Sequence, residues 1–342
     1  MWLTSSSIGR KFVMAITGCA LVLFVTFHVL MNAVCMIWPT AYNQVCEFLG
    51  ANWYALVASA GLAFLFIVHI CYALWLTVQN RAARGNDRYA VTSRPPQVEW
   101  SSKNMLVLGI VVVAFLVVHL IQFWAKMQWQ ELRHAELDVL PQLEGVPVAP
   151  AQGTLFIQMA FKEVFTPIVY IIGFVALWFH MNHGFWSMFH TVGWDNNIWI
   201  SRLKKIACWW TTIVVALFIA EAVVFTVQAH RDFYTEDQAL QQQYGEFWNK
   251  QAEALMTDFQ TNIKVAMEGT ENNPIMAQKA QSEFVQSYGP SFVERAKVIS
   301  DGFEKQCPKA APEQYLMNMM QLQKQFERML PAEPAVSDNN IE

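Results

Sequence analysis

The sequence predicts an all-α integral membrane protein: a bundle of five transmembrane helices followed by a polar α-helical extension. The chain is 54% hydrophobic, and its mean hydropathy is +0.24. It contains apolar runs of about 20 residues with few charges, the length that a helix needs to cross a bilayer. After His230 the composition turns polar. This change divides the chain into a membrane domain, residues 1–230, and an extramembrane domain, residues 231–342.

The predicted spans cover roughly residues 12–36, 54–78, 104–125, 164–189 and 206–228. Arg10 and Lys11 precede the first span. Its apolar run is longer than that of a signal peptide, so we expect an uncleaved helix. In the loops between spans, Lys and Arg concentrate on the side that holds the N-terminus. That side is predicted to be cytoplasmic, and an odd number of spans then places the extension on the opposite side.

Two regions outside the spans have distinct patterns. The loop of about 126–157 is acidic and proline-containing, and we predict that it covers the outer mouth of the bundle. In the extension, apolar residues between Tyr244 and Phe259 recur at spacings of three, four and seven, which indicates an amphipathic helix. Further helices are predicted near 276–287, 291–305 and 312–329, separated by Pro274, Pro290, Pro308 and Pro312.

Charge and cysteine spacing exclude several functions. The net charge of -4 is small and argues against a general nucleic-acid partner. The six cysteines form no C-x-x-C or C-x-x-C-H motif. Covalent c-type haem, a zinc ribbon and a cysteine-bound iron–sulfur cluster therefore have no local signature in this chain.

Four histidines stand out, because each of the first four spans contains one at depth. A histidine inside a membrane span is costly unless it is paired, and is therefore a functional candidate. At a helical rise of about 1.5 Å per residue, His28 and His119 reach a common outer level, and His69 and His180 a common inner level about 15 Å away. Two imidazoles at one depth on facing helices are what a b-type haem requires. The pattern therefore predicts two haems. A hydrogen-bonded packing role is the alternative for any one of the four.

Other histidines are weaker candidates. His183 lies one turn beyond His180 and is the rival inner ligand, although His180 matches the depth of His69 better. His190 lies in or beside the cytoplasmic loop. His134 and His230 are predicted to be ordinary external residues.

The sequence resembles a known family in three features. These are the opening segment SSSIGRKFVMAITG at 5–18, one histidine on each of four helices, and FHMNHGFWSMFHTVGW at 179–194. Together they resemble the cytochrome b subunit of succinate dehydrogenase and fumarate reductase, of the type with one membrane chain, five helices and two haems b. The resemblance covers roughly residues 4–229. The long polar extension departs from the family pattern.

The resemblance implies that His28 and His119 hold a distal haem, and that His69 and His180 hold a proximal haem facing a cytoplasmic iron–sulfur subunit. The chain would anchor a respiratory complex in a bacterial cytoplasmic (inner) membrane and exchange electrons with menaquinone or menaquinol. FAD and the iron–sulfur clusters would belong to a flavoprotein and an iron–sulfur subunit. The dicarboxylate site would also lie outside this chain. A homodimer of the heterotrimer is a further expectation.

Quinone chemistry also needs a proton partner, for which two acidic residues are candidates, and a site that binds the quinone. Glu47, in QVCEFLG, follows the first helix, where the family places an acidic quinol-site residue; the alternative is a solvated loop acid. Glu221 lies inside the fifth span at the outer level, and is a relay or a hydrogen-bonded structural acid. Asn32 lies one turn beyond His28, and binds quinone or the backbone.

Two other functions stay open from the sequence. One is the dihaem b subunit of another respiratory enzyme, such as a hydrogenase or formate dehydrogenase, against which the 179–194 motif weighs. The other is a haem-free membrane anchor or transporter whose histidines pack or relay protons.

Overall fold

A computed structural model describes residues 6–84, 100–194, 196, 198–270 and 273–329. The described chain divides into two compact units. The first comprises Met1–Pro141 and Val148–Tyr234, and the second comprises Gln142–Pro147 and Thr235–Glu342. The division thus falls four residues beyond the predicted boundary at 230. In addition, a short segment of the predicted loop 126–157 belongs to the second unit.

The first unit is helical. In chain order its elements are α1 (Ser7–Ile37), α2 (Pro39–Ala51), α3 (Trp53–Arg84), α4 (Trp100–His119), a π-helical turn (Leu120–Trp124), α5 (Gln128–Leu132), α6 (Gly153–Phe161), α7 (Phe165–Thr191) and α8 (Trp199–His230). The short helix α9 (Phe233–Glu236) crosses the boundary between the units.

Within the described residues, five helices are long and apolar enough to cross a membrane. They are α1, α3, α4 continued by the π-helical turn, α7 and α8. The chain is therefore that of an all-α, multi-pass membrane protein. Helix α7 is central, because α1, α4 and α8 all pack against it. Helix α3 packs against α1 and has no buried residue in its most apolar stretch.

Local hydrogen bonds explain two helix starts that hydropathy places too late. The Ser6 hydroxyl accepts from the backbone N–H of Gly9 at 2.9 Å, so α1 begins at Ser7 rather than near residue 12. The Asn196 side-chain oxygen accepts from the N–H groups of Ile198 and Trp199. Helix α8 therefore begins at Trp199 rather than near 206. Its first turns are polar, so hydropathy does not indicate them, but Asn196 satisfies the N–H groups at its start.

The sequence pattern missed two helices at one end of the bundle. Helix α2 starts with Pro39 in its first turn, a favoured position for proline. Helix α6 begins within the predicted loop, continues past its predicted end at about 157, and is almost entirely buried. The two helices are joined by the Asn43 side-chain oxygen, which accepts from both the N–H and the hydroxyl of Thr154 at 2.9 Å. Gln158 of α6 donates to the carbonyl of Ala229 at the end of α8.

The second unit combines a short hairpin with three helices. Strands β1 (Gln142–Leu143) and β2 (Val146–Pro147) pair antiparallel, and the helices are α10 (Gln238–Met267), α11 (Pro274–Gln306) and α12 (Gln314–Met329). Its core contains Trp248, which is fully buried and donates to Gln306 at 2.9 Å. A Cβ at Gly302 would lie 2.4 Å from the Trp248 ring, so only glycine allows α11 to approach this closely.

One prediction for the extension is wrong. Pro290 does not separate two helices, because α11 runs without a break from Pro274 to Gln306. A proline removes one backbone hydrogen bond and disfavours the helix interior. Here aromatic residues on both sides of Pro290 pack against α10, and these contacts favour the continuous helix. Phe284 and Phe292 both contact Phe259 of α10.

Candidate functional site

The structure brings the four histidines together as two pairs. The imidazole centroids of His69 on α3 and His180 on α7 are 6.4 Å apart, with an interplanar angle of 72°. Those of His28 on α1 and His119 on α4 are 5.8 Å apart, with an angle of 84°. Each of the first four spans therefore contributes one histidine, and the two pairs are the ones that helical depth predicts. All four rings are half-buried.

A threonine on α1 contacts the imidazole of His69. The Thr17 hydroxyl lies 3.1 Å from His69 Nδ1, and 2.9 Å and 3.2 Å from the carbonyl oxygens of Val13 and Met14 in its own helix. A hydroxyl that donates its one proton to a carbonyl of its own helix accepts from a protonated Nδ1. His69 Nε2 then carries the lone pair and is the nitrogen able to bind a metal.

The other ring of this pair has a different environment. Nδ1 of His180 is buried and meets no side-chain hydrogen-bond partner among the described residues, and the backbone of Met105 on α4 is the polar group that faces this ring. A Cβ at Gly109 of α4 would lie 3.5 Å from His180, and one at Gly18 of α1 would lie 3.6 Å from His69. Glycines therefore stand directly beside both imidazoles. A side chain larger than alanine at either position would fill the space next to the ring.

A tyrosine on α7 contacts Nδ1 of His119, as Thr17 contacts Nδ1 of His69. The Tyr170 hydroxyl lies 3.1 Å from His119 Nδ1 and donates its proton to the side-chain oxygen of Gln122 at 2.9 Å. Tyr170 therefore accepts from His119, and His119 Nε2 carries the lone pair. Tyr170 is 4% exposed, so its hydroxyl is well shielded from solvent.

His28 differs from the other three histidines. The amide nitrogen of Asn32 donates to His28 Nε2 at 3.2 Å, and Tyr42 of α2 donates to the Asn32 oxygen at 3.4 Å. The lone-pair nitrogen of His28 is thus engaged by Asn32. A metal binding through Nε2 would have to displace this amide. Asn32 is therefore held between the histidine pair and the helix α2.

His183 is placed elsewhere on α7. Its ring makes an edge contact with Trp186 at 4.8 Å, whereas the ring that faces His69 belongs to His180. Of the remaining histidines, His230 bonds locally to the carbonyl of Thr226.

The two acidic candidates lie in different environments. Glu221 of α8 is 3% exposed, and its Oε1 has no hydrogen-bond partner among the residues that the structure describes. It lies close enough to Tyr42 to interact with it electrostatically. Burial is the main reason that the pKa of Tyr42 is well above its usual value, so this hydroxyl stays a neutral donor. Glu47, in contrast, lies on the exposed face of α2.

Sequence reasoning missed the residues that hold the histidines, namely Thr17, Tyr42, Gln122 and Tyr170. Thr17, Gln122 and Tyr170 are polar residues inside apolar spans, which was an available signal. What the pattern lacked was the partner of each residue, since Thr17 and His69 come from different helices.

The ring spacing fits two pairs of axial haem ligands, with the condition that the Asn32 amide leaves Nε2 of His28. Two metal–nitrogen bonds of about 2.0 Å, with half an imidazole on each side, separate the ring centroids by roughly 6 Å. Both pairs lie near this value. His69 and His119 also donate Nδ1–H to a neighbouring oxygen, as metal-binding histidines usually do. Among the described residues, no group of three or more His, Cys, Asp or Glu side chains is arranged to hold a metal ion, but haem iron takes only two axial ligands.

Searches against protein-family models, curated proteins and solved structures find no match to this chain.

Proposed function

We propose that this chain is the membrane cytochrome b subunit of a quinone-linked succinate dehydrogenase or fumarate reductase. It would carry electrons between menaquinone or menaquinol and an iron–sulfur subunit through two haems b, and would anchor the complex. The proposal rests on the two histidine pairs. Their four residues come from four separate spans, and the two rings of each pair are spaced for one metal ion between them. The motif at 179–194, which contains His180, favours this family over other dihaem cytochromes.

In the proposed complex, His28 and His119 hold the distal haem, and His69 and His180 hold the proximal haem. Each haem, when bound, supplies one-electron chemistry at its iron. The chain's own residues orient the ligands. Thr17 and Tyr170 direct the metal-binding nitrogen of one imidazole in each pair, and glycines leave room beside the rings of the proximal pair.

Proton handling falls to the polar side chains near His28. Oxidation of a quinol releases two protons as well as two electrons, so a buried base must lie close to the ring that is oxidised. Glu221 is buried and has an unsatisfied oxygen, and Tyr42 joins its neighbourhood to Asn32. We assign Glu221 as the proton acceptor and Asn32 as a hydrogen-bond donor to the quinone. Glu47 remains a candidate for passing protons onward at the exposed surface.

The proposed setting is a bacterial cytoplasmic membrane with the N-terminus inside, because the basic loops favour that orientation. The partners are an iron–sulfur subunit and an FAD-containing flavoprotein, which would hold the dicarboxylate site, with two such heterotrimers forming a dimer. The second unit would then lie on the periplasmic side.

A reduced-minus-oxidised spectrum with pyridine-haem quantitation, on the full chain purified with its partners, tests the proposal. Two b haems per chain together with a flavoprotein are expected. A nickel or molybdenum partner would indicate a hydrogenase or formate dehydrogenase instead. A preparation shown to have kept its cofactors but lacking b-type bands would indicate a haem-free anchor or transporter.

A further inference from the structure

The helix that carries His119 changes character immediately after this residue. Residues Leu120–Trp124 form a π-helical turn, in which the N–H of Ala125 donates to the carbonyl of Leu120, five residues earlier, at 2.8 Å. Such turns are rare, and occur frequently at functional sites. The wider turn changes the direction of the side chains that follow His119, and Gln122 lies in the middle of it.

Gln122 has both ends of its amide engaged with α7. Its nitrogen donates to the hydroxyl of Thr166 at 3.0 Å, which leaves its oxygen to face Tyr170. Tyr170 donates to that oxygen at 2.9 Å. Thr166 and Tyr170 are both 4% exposed, so protein partners rather than solvent determine the direction of each hydrogen bond.

We propose that Gln122 is a positioning residue that fixes, through Tyr170, the Nδ1–H tautomer of His119. Because Tyr170 donates its only proton to Gln122, it can only accept from His119. Without the Gln122 oxygen, the Tyr170 hydroxyl is released to donate to His119 Nδ1, which would move the imidazole proton to Nε2. An Nε2–H nitrogen has no lone pair for iron. The tautomer does not depend on a haem, but its use in placing one rests on the proposed function.

The second histidine pair offers a matched contrast. Thr17, which holds His69, donates its proton to the backbone of Val13 in its own helix. No side chain is needed to direct that proton. Of these two hydroxyl contacts, the one between Tyr170 and His119 therefore depends on a third side chain, and a π-helical turn supplies it.

The test is nitrogen NMR of the full chain in detergent, without haem, with ¹⁵N-labelled histidine. The His119 signals are assigned by their loss in His119→Ala. The wild-type chain should show Nδ1 protonated and Nε2 unprotonated. Gln122→Met, which keeps the side-chain length but removes the acceptor, should shift His119 toward the opposite tautomer. Gln122→Glu retains an acceptor oxygen and should restore the wild-type pattern. Thr17→Val should leave His119 unchanged.

Two results would overturn the inference. One is an Nε2–H tautomer in the wild-type chain, which needs no variant to fold. The other is a His119 spectrum that Gln122→Met does not change. Haem titration gives a second readout: Gln122→Met should bind the distal haem about 10- to 100-fold more weakly than wild type. A wild-type chain that binds no haem would refute the proposed function, whereas the tautomer measurement would still decide the role of Gln122.

Discussion

The two histidine pairs have similar spacing but unlike surroundings. The His28–His119 pair is bordered by side-chain hydrogen bonds that reach Tyr42 on one side and Thr166 on the other. The His69–His180 pair is bordered by glycines and by a threonine bonded to its own helix. A site that exchanges both protons and electrons needs the first kind of environment, whereas a site that only passes electrons needs the second. Under the proposed function, this difference is the reason to place quinone chemistry near His28 rather than near His180.

Removing one of the four histidines should produce the largest difference between the two pairs. We expect His119→Ala or His28→Ala to abolish the distal haem and quinol-linked turnover, and to leave the proximal haem largely intact, since each pair uses its own two helices. Low-temperature difference spectra and haem quantitation check this. His69→Ala is the matched control and should remove the other haem. Equal loss of both haems from a folded variant would contradict independent pairs.

Neutralising the buried acid should separate proton transfer from electron transfer. Glu221→Gln is expected to slow quinol oxidation about a hundredfold, because it removes a proton acceptor while keeping the shape of the side chain. Fumarate reduction driven by a reduced dye should stay near the wild-type rate. Glu47→Gln should slow quinol oxidation less than Glu221→Gln, because Glu47 lies on the exposed face of α2, where water can replace its carboxylate. Quinol kinetics unaltered by Glu221→Gln would make Glu221 structural.

Filling the space beside the second pair should affect that pair alone. Gly109→Leu would place several extra atoms against His180, and overpacking of this kind typically costs about 1–3 kcal/mol. We expect the proximal haem to be bound about tenfold more weakly or to be lost, with the distal haem retained. Gly109→Ala, whose Cβ would make an ordinary 3.5 Å contact, should behave as wild type. Loss of the distal haem instead would show that the pairs are not separate.

The smallest effect is expected at Thr17. Thr17→Val removes the acceptor for His69 Nδ1 while conserving volume, and should weaken proximal haem binding by about tenfold, the low end for such orienting residues. Thr17→Ser should restore binding, because it keeps the hydroxyl. Equal haem affinity in the valine and serine variants, measured by titration of the apoprotein, would show that the hydroxyl has no orienting role.

The sequence predicted the number of spans and which histidines pair. Hydropathy and helical rise depend only on the order of residues within each helix, so no knowledge of helix packing was needed. It did not predict that Tyr170 would meet His119 or that Thr17 would meet His69, since these contacts join different helices. Helix α6 was missed because it is short and lies among prolines and acids. Pro290 was misleading because its effect on α11 depends on aromatic packing that local propensity does not include.

The hydroxyl contacts also bear on how the membrane unit assembles. Thr17–His69 joins the first and second spans, and Tyr170–His119 joins the third and fourth. Each contact therefore ties a hairpin of consecutive helices, which can close as soon as its second helix has been inserted into the bilayer. The ring pairs, in contrast, join the first span to the third and the second to the fourth. Two preformed hairpins would thus come together late, and the imidazoles would meet only where one hairpin docks against the other.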